Sequence, residues 1–396
     1  MNPEEFLDTT FDCQCGRTHT VPVKKIIYEE DALDVLPDML GGFIDSRSIL
    51  IVADSRTFSI AGRDACRILE KAGWSVQQII IPDTDQGSPA CDDITYNKLK
   101  DAAPSVGFAL AVGCGVINDL TKWLSFERDI PYAVVATAAT MNGFTAANVA
   151  PMLEGIKSLI RARAPLAVFA KPSVICRAPF ELTSAGLGDC LARPISTADW
   201  LMNHIFLDEY FCNTCSQMIN ELESAYFNNP DDIKSQKPEA IEAVFNALLY
   251  SGIAMTLVGT SAPASGGEHL LSHTLDMMSV LDKERHDLHG RQVGVGTIFA
   301  SALYERILKI QNPVCRDMPS DIDEPFWQGL APNVRQQYQQ KKAMLGKISL
   351  KMRDSRLWQR FLEAIAIQIR SPQEITQCLA KACLYTHLTL PTTPYV

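Results

Sequence analysis

An α/β domain built on a parallel sheet, followed by an all-helical domain, is the architecture this sequence predicts. Three observations carry it. Short, continuously apolar runs such as Ser48–Asp54 (SILIVAD), 107–112 (GFALAV) and 131–136 (PYAVVA) alternate with helical spacing in the first half. From about Phe180 onward the strand signals fade and apolar residues recur at helical intervals. The chain has 396 residues, 47% of them hydrophobic, which is length for roughly two or three domains with real cores.

Taken in order, 25–29 reads as a short strand and 48–54 as a strand buried on both faces. Helical spacing over 58–72 stops at Gly73, a capping residue. A strand over 74–81, a short helix over 94–102 and a strand over 107–112 follow. That strand runs into Gly113-Cys114-Gly115 and a helix over 116–126, before strands at 131–136 and 166–170. Buried strands alternating with helices make a doubly wound parallel sheet, whose ligands bind at the carboxyl ends of the strands. The second half is expected to hold helices over 189–203, 208–227, 240–257, 268–281, 290–310, 334–351 and 357–369, with 230–238 and 312–325 as loops. The division falls near 176–187, giving an α/β domain over 1–180 and a helical domain over 181–383, with no internal repeat. Residues 384–396 (LYTHLTLPTTPYV) carry no Lys, Arg, Asp or Glu and read as a non-native tail, set aside from the fold.

Thirty-six basic against 46 acidic residues give a net charge of −10. That balance argues against a nucleic-acid or anionic-membrane binder, while leaving room for a local basic pocket that holds a phosphate. No run approaches the roughly 18 apolar residues of a membrane span. The acidic N-terminus, MNPEEFLDTTFDC, lacks the apolar core of a secretory signal, so a cytoplasmic chain is expected. In that compartment most of the 12 scattered cysteines are expected to be small buried hydrophobes. Cys13 and Cys15 with His19 nearby, and Cys212 with Cys215, have the residue types of a shared zinc site. The preferred reading is packing, with the first pair in an N-terminal turn and the second on a helix. Oligomeric state is not set by these patterns, and a homo-oligomer is compatible with them.

Two constellations carry chemistry. Gly113-x-Gly115-x-x-x-Asp119 lies at a strand-to-helix turn, where glycines let a pyrophosphate approach the backbone and the helix N-terminus offers free N–H groups. The spacing is not that of the dinucleotide fingerprint. Asp54 ends another strand and suits a ribose hydroxyl, and Thr137 and Thr140 follow a third. Together they make this half a Rossmann-like nucleotide-binding domain. The second constellation is Glu268-His269-Leu270-Leu271-Ser272-His273, with two imidazoles at i and i+4 on one helical face. His289-Gly290 follows, and Gly188-Asp189 lies at an expected helix start 80 residues before His269. One carboxylate with two or three imidazoles suits Zn²⁺, Fe²⁺ or Ni²⁺. His286 lies nearby and reads as a surface residue; Cys114 reads as a small residue tolerated in the glycine turn.

The stretches AVGCGVINDLTKW (111–123), TAATMNGFTA (137–146), SAGLGDCLARPISTADW (184–200), SGGEHLLSHTLD (265–276) and LHGRQVGVGT (288–297) occur in this order. Over about residues 10 to 380 they resemble the glycerol-1-phosphate dehydrogenase family, within the iron-containing alcohol dehydrogenase and dehydroquinate synthase-like superfamily. The resemblance implies a dehydroquinate synthase-like fold with its active site between the two domains. It implies that Asp189, His269 and His289 hold one divalent metal, usually zinc or nickel, and that His273 and Asp189 face the substrate as catalytic groups. Asp54, Gly113, Gly115, Val116, Ile117, Asp119, Thr137 and Thr140 would line the NAD or NADP site, and Asn142 would contact the substrate.

Three departures stand out against that family: Asn142 replaces an aspartate, Ala146 a serine and Arg193 a lysine. The activity so implied is NAD(P)-linked interconversion of sn-glycerol 1-phosphate, or a related polyol phosphate, and dihydroxyacetone phosphate. The alternatives are a carbon–oxygen lyase of the dehydroquinate synthase type, which uses NAD transiently, and a degenerate non-catalytic homologue. Asp189 in place of that lyase's usual glutamate favours the dehydrogenase.

Overall fold

The computed structural model describes residues 3–85, 87–284 and 287–382; His286 and the 384–396 tail lie outside them. Strands β1 (Thr10–Asp12) and β2 (Thr18–Thr20) form an antiparallel hairpin. Next come β3 (Lys25–Tyr28), β4 (Ser48–Asp54), β5 (Ser75–Ile81), β6 (Phe108–Gly113) and β7 (Tyr132–Ala136). The short strands β8 (Asn148–Val149), β9 (Met152–Leu153), β10 (Ile156–Lys157) and β11 (Ile160–Arg161) precede β12 (Ala167–Ala170). Six strands pair in the order β3-β12-β7-β6-β4-β5, all parallel.

Every residue of β6, β7 and β12 is buried, as is all of β4 after Ser48. That is why these strands read as continuous apolar runs rather than alternating ones. The period of two sorts their side chains between two cores. Leu50, Val52, Ala111, Val134 and Val168 share a cluster with Leu120, Leu124, Phe245 and Leu248. Ile49, Ile51, Leu110, Val135 and Phe169 share the other with Leu36, Leu40 and Leu69. The first of these cores joins the sheet to the helical half.

The helix expected over 58–72 starts earlier. Asp54 accepts hydrogen bonds from the Arg56 and Thr57 amides, and Thr57 reciprocates with the Asp54 amide, so a helical run sets in at Ser55 and passes through a π-turn at Phe58–Gly62. The expected 189–203 helix is two helices, Phe180–Leu191 and Arg193–Leu207. Pro194 has no N–H to give and its ring clashes with the preceding turn, so the chain restarts there. Asp189 therefore lies in the last turn of a helix, not at a helix start. The helix expected from 208 begins at Asn213, because Asp208 takes a left-handed conformation that ends the preceding helix. The 230–238 loop holds a short helix, Pro230–Lys234, and 312–325 is irregular until Asp323 caps a turn at Glu324–Trp327. Helices Leu36–Phe43, Pro172–Cys176 and Pro372–Lys381 had not been read from the pattern. Pro238–Val258 is, among the described residues, the one helix apolar and long enough to cross a membrane, but 78% of its apolar window is buried inside the protein.

Between β7 and β12 the chain makes a two-tier ribbon, with β8 paired to β11 and β9 to β10. Glu154 and Gly155, at φ 50° and 76°, form its tip, as a tight two-residue hairpin turn requires. In the helical half, helices Phe180–Leu191 and His289–Ile307 touch backbone to backbone. A Cβ on Gly188 would sit 2.1 Å from the carbonyl oxygen of Gly290, and one on Gly290 1.9 Å from that of Ala185. Gly188→Ala is thus expected to force the two helices apart. A loss of about 1–3 kcal/mol or more in urea unfolding is the expected outcome, and an unchanged midpoint would show that the crossing is slack.

Candidate active site and metal centre

β4 and β6 are neighbours, but the chain leaving β4 goes outward to β5 and the chain leaving β6 goes the other way to β7. This reversal opens a crevice at their carboxyl ends, marked by Asp54 and Gly113. A Cβ on Gly113 would lie 2.8 Å from that of Ile117, so glycine lets the strand end close on the helix, and Ile117 is part of the core. A Cβ on Gly115 would meet nothing nearer than Met141, at 4.0 Å, and Val116 beside it is half-buried. The helix Gly115–Glu127 has no side-chain cap. An uncapped N-terminus at this edge suits a phosphate.

Thr137 and Thr140 are buried beside Cys114. Burial pushes the Cys114 thiol up to about 11 against the opposing hydrogen bonds of these threonines, so it stays protonated and inert near neutrality. Asp54 is partly committed to its helix, since its Oδ1 accepts from the Arg56 amide at 2.7 Å and the Thr57 amide at 3.0 Å. Asp119 turns to the protein. It pairs with the wholly buried Lys122 at 3.2 Å and accepts from the Ala150 amide at 3.4 Å, while Lys122 donates to the Gly143 and Asn148 carbonyls at 2.6 and 2.9 Å. Burial lowers the Lys122 pKa, and Asp119 acts to hold it up. This pair pins the loop after β7, a role the sequence did not announce.

Asp189, His269 and His289 come together across three helices. Asp189 Oδ1 lies 3.3 Å from His269 Nε2 and 3.9 Å from His289 Nε2, and the three ligand atoms all fall within 4.8 Å of one another. The imidazole centroids of His269, His273 and His289 form a triangle of 5.1, 5.8 and 6.1 Å sides. The Asp189 side chain is fully buried in the last turn of its helix, where the dipole disfavours negative charge, with no lysine or arginine paired to it among the described residues. Its Oδ2 accepts from the Asn142 amide at 2.8 Å, and its Oδ1 is buried without a hydrogen-bond donor. An oxygen so placed, with two imidazole nitrogens turned to it, fits a divalent cation.

The groups behind the histidines set their tautomers. Glu268, wholly buried, faces His269 Nδ1 at 2.8 Å; a carboxylate accepts, so Nδ1 carries the proton and Nε2 keeps its lone pair for the centre. Glu268 itself accepts from the Gly266 amide at 2.7 Å. Ser272 spends its hydroxyl proton on Gln292 Oε1 at 2.8 Å, which leaves its oxygen to accept from His289 Nδ1 at 3.0 Å. Burial acts to lower the His269 pKa, but hydrogen bonds and charge from Asp189 and Glu268 outweigh it and raise it to about 9. His273 goes the other way, to about 3, through burial first and then the charges of His269, Lys157 and Lys341. Lys157, on β10, pairs with Asp276 at 3.3 Å. Asp199, held by Tyr304 and the Gly267 amide, is pushed up to about 6 by burial and the charge of Glu268. Glu268, Ser272, Gln292 and Asp199 were missed as site residues; all lie inside the quoted stretches, but the partners of Ser272, Gln292 and Asp199 are on other helices, while Glu268 serves its own neighbour His269.

Of the three departures from the resembled family, only Asn142 lies at the centre. Ala146 packs with Met255 and Ala264, and Arg193 is ion-paired with Glu223, which also holds Arg370 at 3.0 Å.

A family model described as iron-containing alcohol dehydrogenase matches residues 27–179. A glycerol-1-phosphate dehydrogenase [NAD(P)+] of Geobacillus stearothermophilus is 33% identical over 332 residues, 83% of this chain and 82% of its own. The enzyme of that name from Pyrococcus furiosus is 34% identical over 65% of this chain and 72% of its own. The fold is similar to a glycerol dehydrogenase from Schizosaccharomyces pombe (TM-score 0.57, 16% identity, 91% of this chain and 89% of that one). It is also similar to an archaeal alcohol dehydrogenase from a Red Sea brine pool (TM-score 0.61, 11% identity, 97% and 90%). With relatives above 30% identity matched over most of their length, this chain belongs to the glycerol-1-phosphate dehydrogenase family of the iron-containing alcohol dehydrogenase superfamily.

Proposed function

We propose that the chain interconverts sn-glycerol 1-phosphate, or a related polyol phosphate, and dihydroxyacetone phosphate by NAD(P)-linked hydride transfer at one divalent metal, with zinc the best match. The reading rests on one observation: Asp189 Oδ1, His269 Nε2 and His289 Nε2 converge within the reach of a single ion. A carboxylate with two imidazoles suits zinc and leaves coordination open for substrate. When bound, the cation acidifies a hydroxyl or polarises a ketone, and the nicotinamide gives or takes the hydride.

The chain's own residues do the rest. Asp189 and the two histidines hold the cation, and Glu268 and Ser272 keep both Nε2 lone pairs aimed inward. His273, lowered to about 3, is a neutral imidazole at working pH and offers the substrate a hydrogen bond. Lys157 and Lys341 supply positive charge beside it, as a phosphorylated substrate needs. Asn142 fixes Asp189 through its backbone amide. The uncapped helix at Gly115 receives the dinucleotide phosphates, with Asp54, Val116, Ile117, Thr137 and Thr140 around them. Asp119 contributes by pinning the loop.

Oxidation of NADH and of NADPH with dihydroxyacetone phosphate, on zinc-loaded protein, tests the reading. Turnover with net cofactor oxidation is expected, and His269→Ala is expected to lower kcat/KM on the order of 10²–10³-fold or more. Turnover without net cofactor change would instead indicate the lyase chemistry. Glu268→Gln removes the anionic acceptor behind His269 and is expected to weaken zinc affinity about 10–100-fold in a chelator competition. Because His269 holds a proton up to about pH 9 in the ion-free protein, zinc must displace it. Affinity is expected to rise about tenfold per pH unit from about 7 to about 9 and then to level off. Calorimetry in buffers of different ionisation enthalpy reads the released proton, and a pH-independent affinity contradicts the assignment.

A further inference from the structure

A second cluster of metal-ligating side chains lies far along the chain from this centre. The β1–β2 hairpin pairs Phe11 with His19 and Asp12 with Thr18. Its loop is closed by the Cys13 amide donating to the Arg17 carbonyl at 3.0 Å and the Gly16 amide to the Cys13 carbonyl at 2.9 Å. Gly16 sits at φ +83°, where a side chain would be strained. The tight loop brings Cys13 and Cys15 to the same place as His19. Opposite them stands Cys212, fully buried, the residue from which helix Asn213–Phe227 begins.

The Sγ atoms of Cys13, Cys15 and Cys212 and a ring nitrogen of His19 all lie within 4.8 Å of one another. Cys13 and Cys212 are 3.7 Å apart at sulfur, and His19 Nε2 is 3.3 Å from the Cys15 sulfur and 3.5 Å from that of Cys212. An ion bonded to sulfur at about 2.3 Å and to nitrogen at about 2.0–2.1 Å makes tetrahedral edges of about 3.8 Å between sulfurs and about 3.5 Å from sulfur to nitrogen. The three edges of 3.7, 3.3 and 3.5 Å match such a tetrahedron, and the other three lie within 4.8 Å.

The ring of His19 is oriented for the same purpose. Its Nδ1 lies 3.0 Å from the Leu257 carbonyl oxygen, which can only accept, so Nδ1 carries the proton and Nε2 turns a lone pair on the sulfurs. Tyr210 and Thr214 place hydroxyls 3.0 Å from the Cys15 sulfur and 3.3 Å from the Cys13 sulfur, where they would donate to metal-bound thiolates. The Arg17 guanidinium covers the Tyr210 ring at 3.4 Å. Three cysteines and one histidine leave no open position, which is the mark of a structural rather than a catalytic zinc.

We propose that Cys13, Cys15, His19 and Cys212 form a structural zinc site, separate from the Asp189 centre, that fastens the N-terminal hairpin to the helical half. Packing alone was the reading preferred from sequence; the fold gathers ligands 199 residues apart. A hairpin of two three-residue strands has little of its own to hold it in place.

The test is the metal content and the cobalt spectrum of the full chain. In a His269→Ala/His289→Ala variant, which disables the first centre, about one zinc per chain is expected to remain. Adding Cys15→Ser, on the half-exposed hairpin, is expected to remove it. Cobalt-substituted protein is expected to show thiolate-to-cobalt charge transfer that survives the histidine pair of substitutions, since the first centre has only nitrogen and oxygen ligands. This measurement needs no cysteine variant, so misfolding of one does not obscure the answer. No zinc in the double-histidine variant, absent charge transfer, or a Cys13–Cys212 disulfide in protein purified under reducing conditions would overturn the proposal.

Discussion

A carboxylate buried in the last turn of a helix, with a helix dipole against it and no lysine or arginine paired to it among the described residues, is the constraint around which the molecule is arranged. Asp189 tolerates that position only because other groups converge on it. The Asn142 amide donates to one oxygen, and the imidazoles of His269 and His289 face the other, with the charge of Asp189 helping to keep His269 protonated. Each of those partners comes from a different part of the chain. The loop after β7 must be pinned to deliver Asn142, which the buried Lys122 and Asp119 accomplish. The helices bearing the histidines must be held in register, which Ser272 does by bonding His289 and Gln292, while Glu268 fixes the His269 proton from within its own helix. Stability and chemistry therefore lean on the same few polar contacts, in a low-dielectric setting where leaving any one unmade is costly.

The sheet was legible in the sequence because its central strands are buried on both faces and so appear as unbroken apolar words. The helix boundaries were less so. Pro194 splits what periodicity alone presents as one helix, and Asp54 starts another earlier than its apolar spacing does. The ribbon from β8 to β11 was missed because its strands have two residues each, too short for a period to show. At the site, the spacing of His269 and His273 is local and could be read directly. The partnership of Ser272 with His289, or of Asp199 with Tyr304, is made between helices and leaves no mark at any fixed spacing. The Cys13–Cys212 approach is the extreme case, since hairpin and helix meet through tertiary contacts alone, the packing of Val21 and Val23 with Trp200, Met218 and Ile253 and the His19–Leu257 bond among them.

The departures from the family pattern divide by the same logic. Ala146 sits in an apolar cluster and Arg193 is paired with Glu223, though its Nε and Nη1 are buried without a hydrogen-bond partner. Asn142 is different, since its backbone serves Asp189 whatever its side chain is. A side-chain change there leaves the bond that holds the carboxylate in place, so this position can vary at little structural cost.

The contact between Gly188 and Gly290 has a consequence for how such a centre changes over evolutionary time. Asp189 and His289 are each the immediate chain neighbour of one of these glycines, so the gap between the two helices, and with it the bite offered to an ion, is set by main chain pressed on main chain. The nearest atoms to either glycine are main chain, so the approach of Asp189 to His289 is close to a fixed property of the scaffold. Adjustment of affinity or of metal preference is left to the groups standing behind the imidazoles, which tune basicity without moving a ligand.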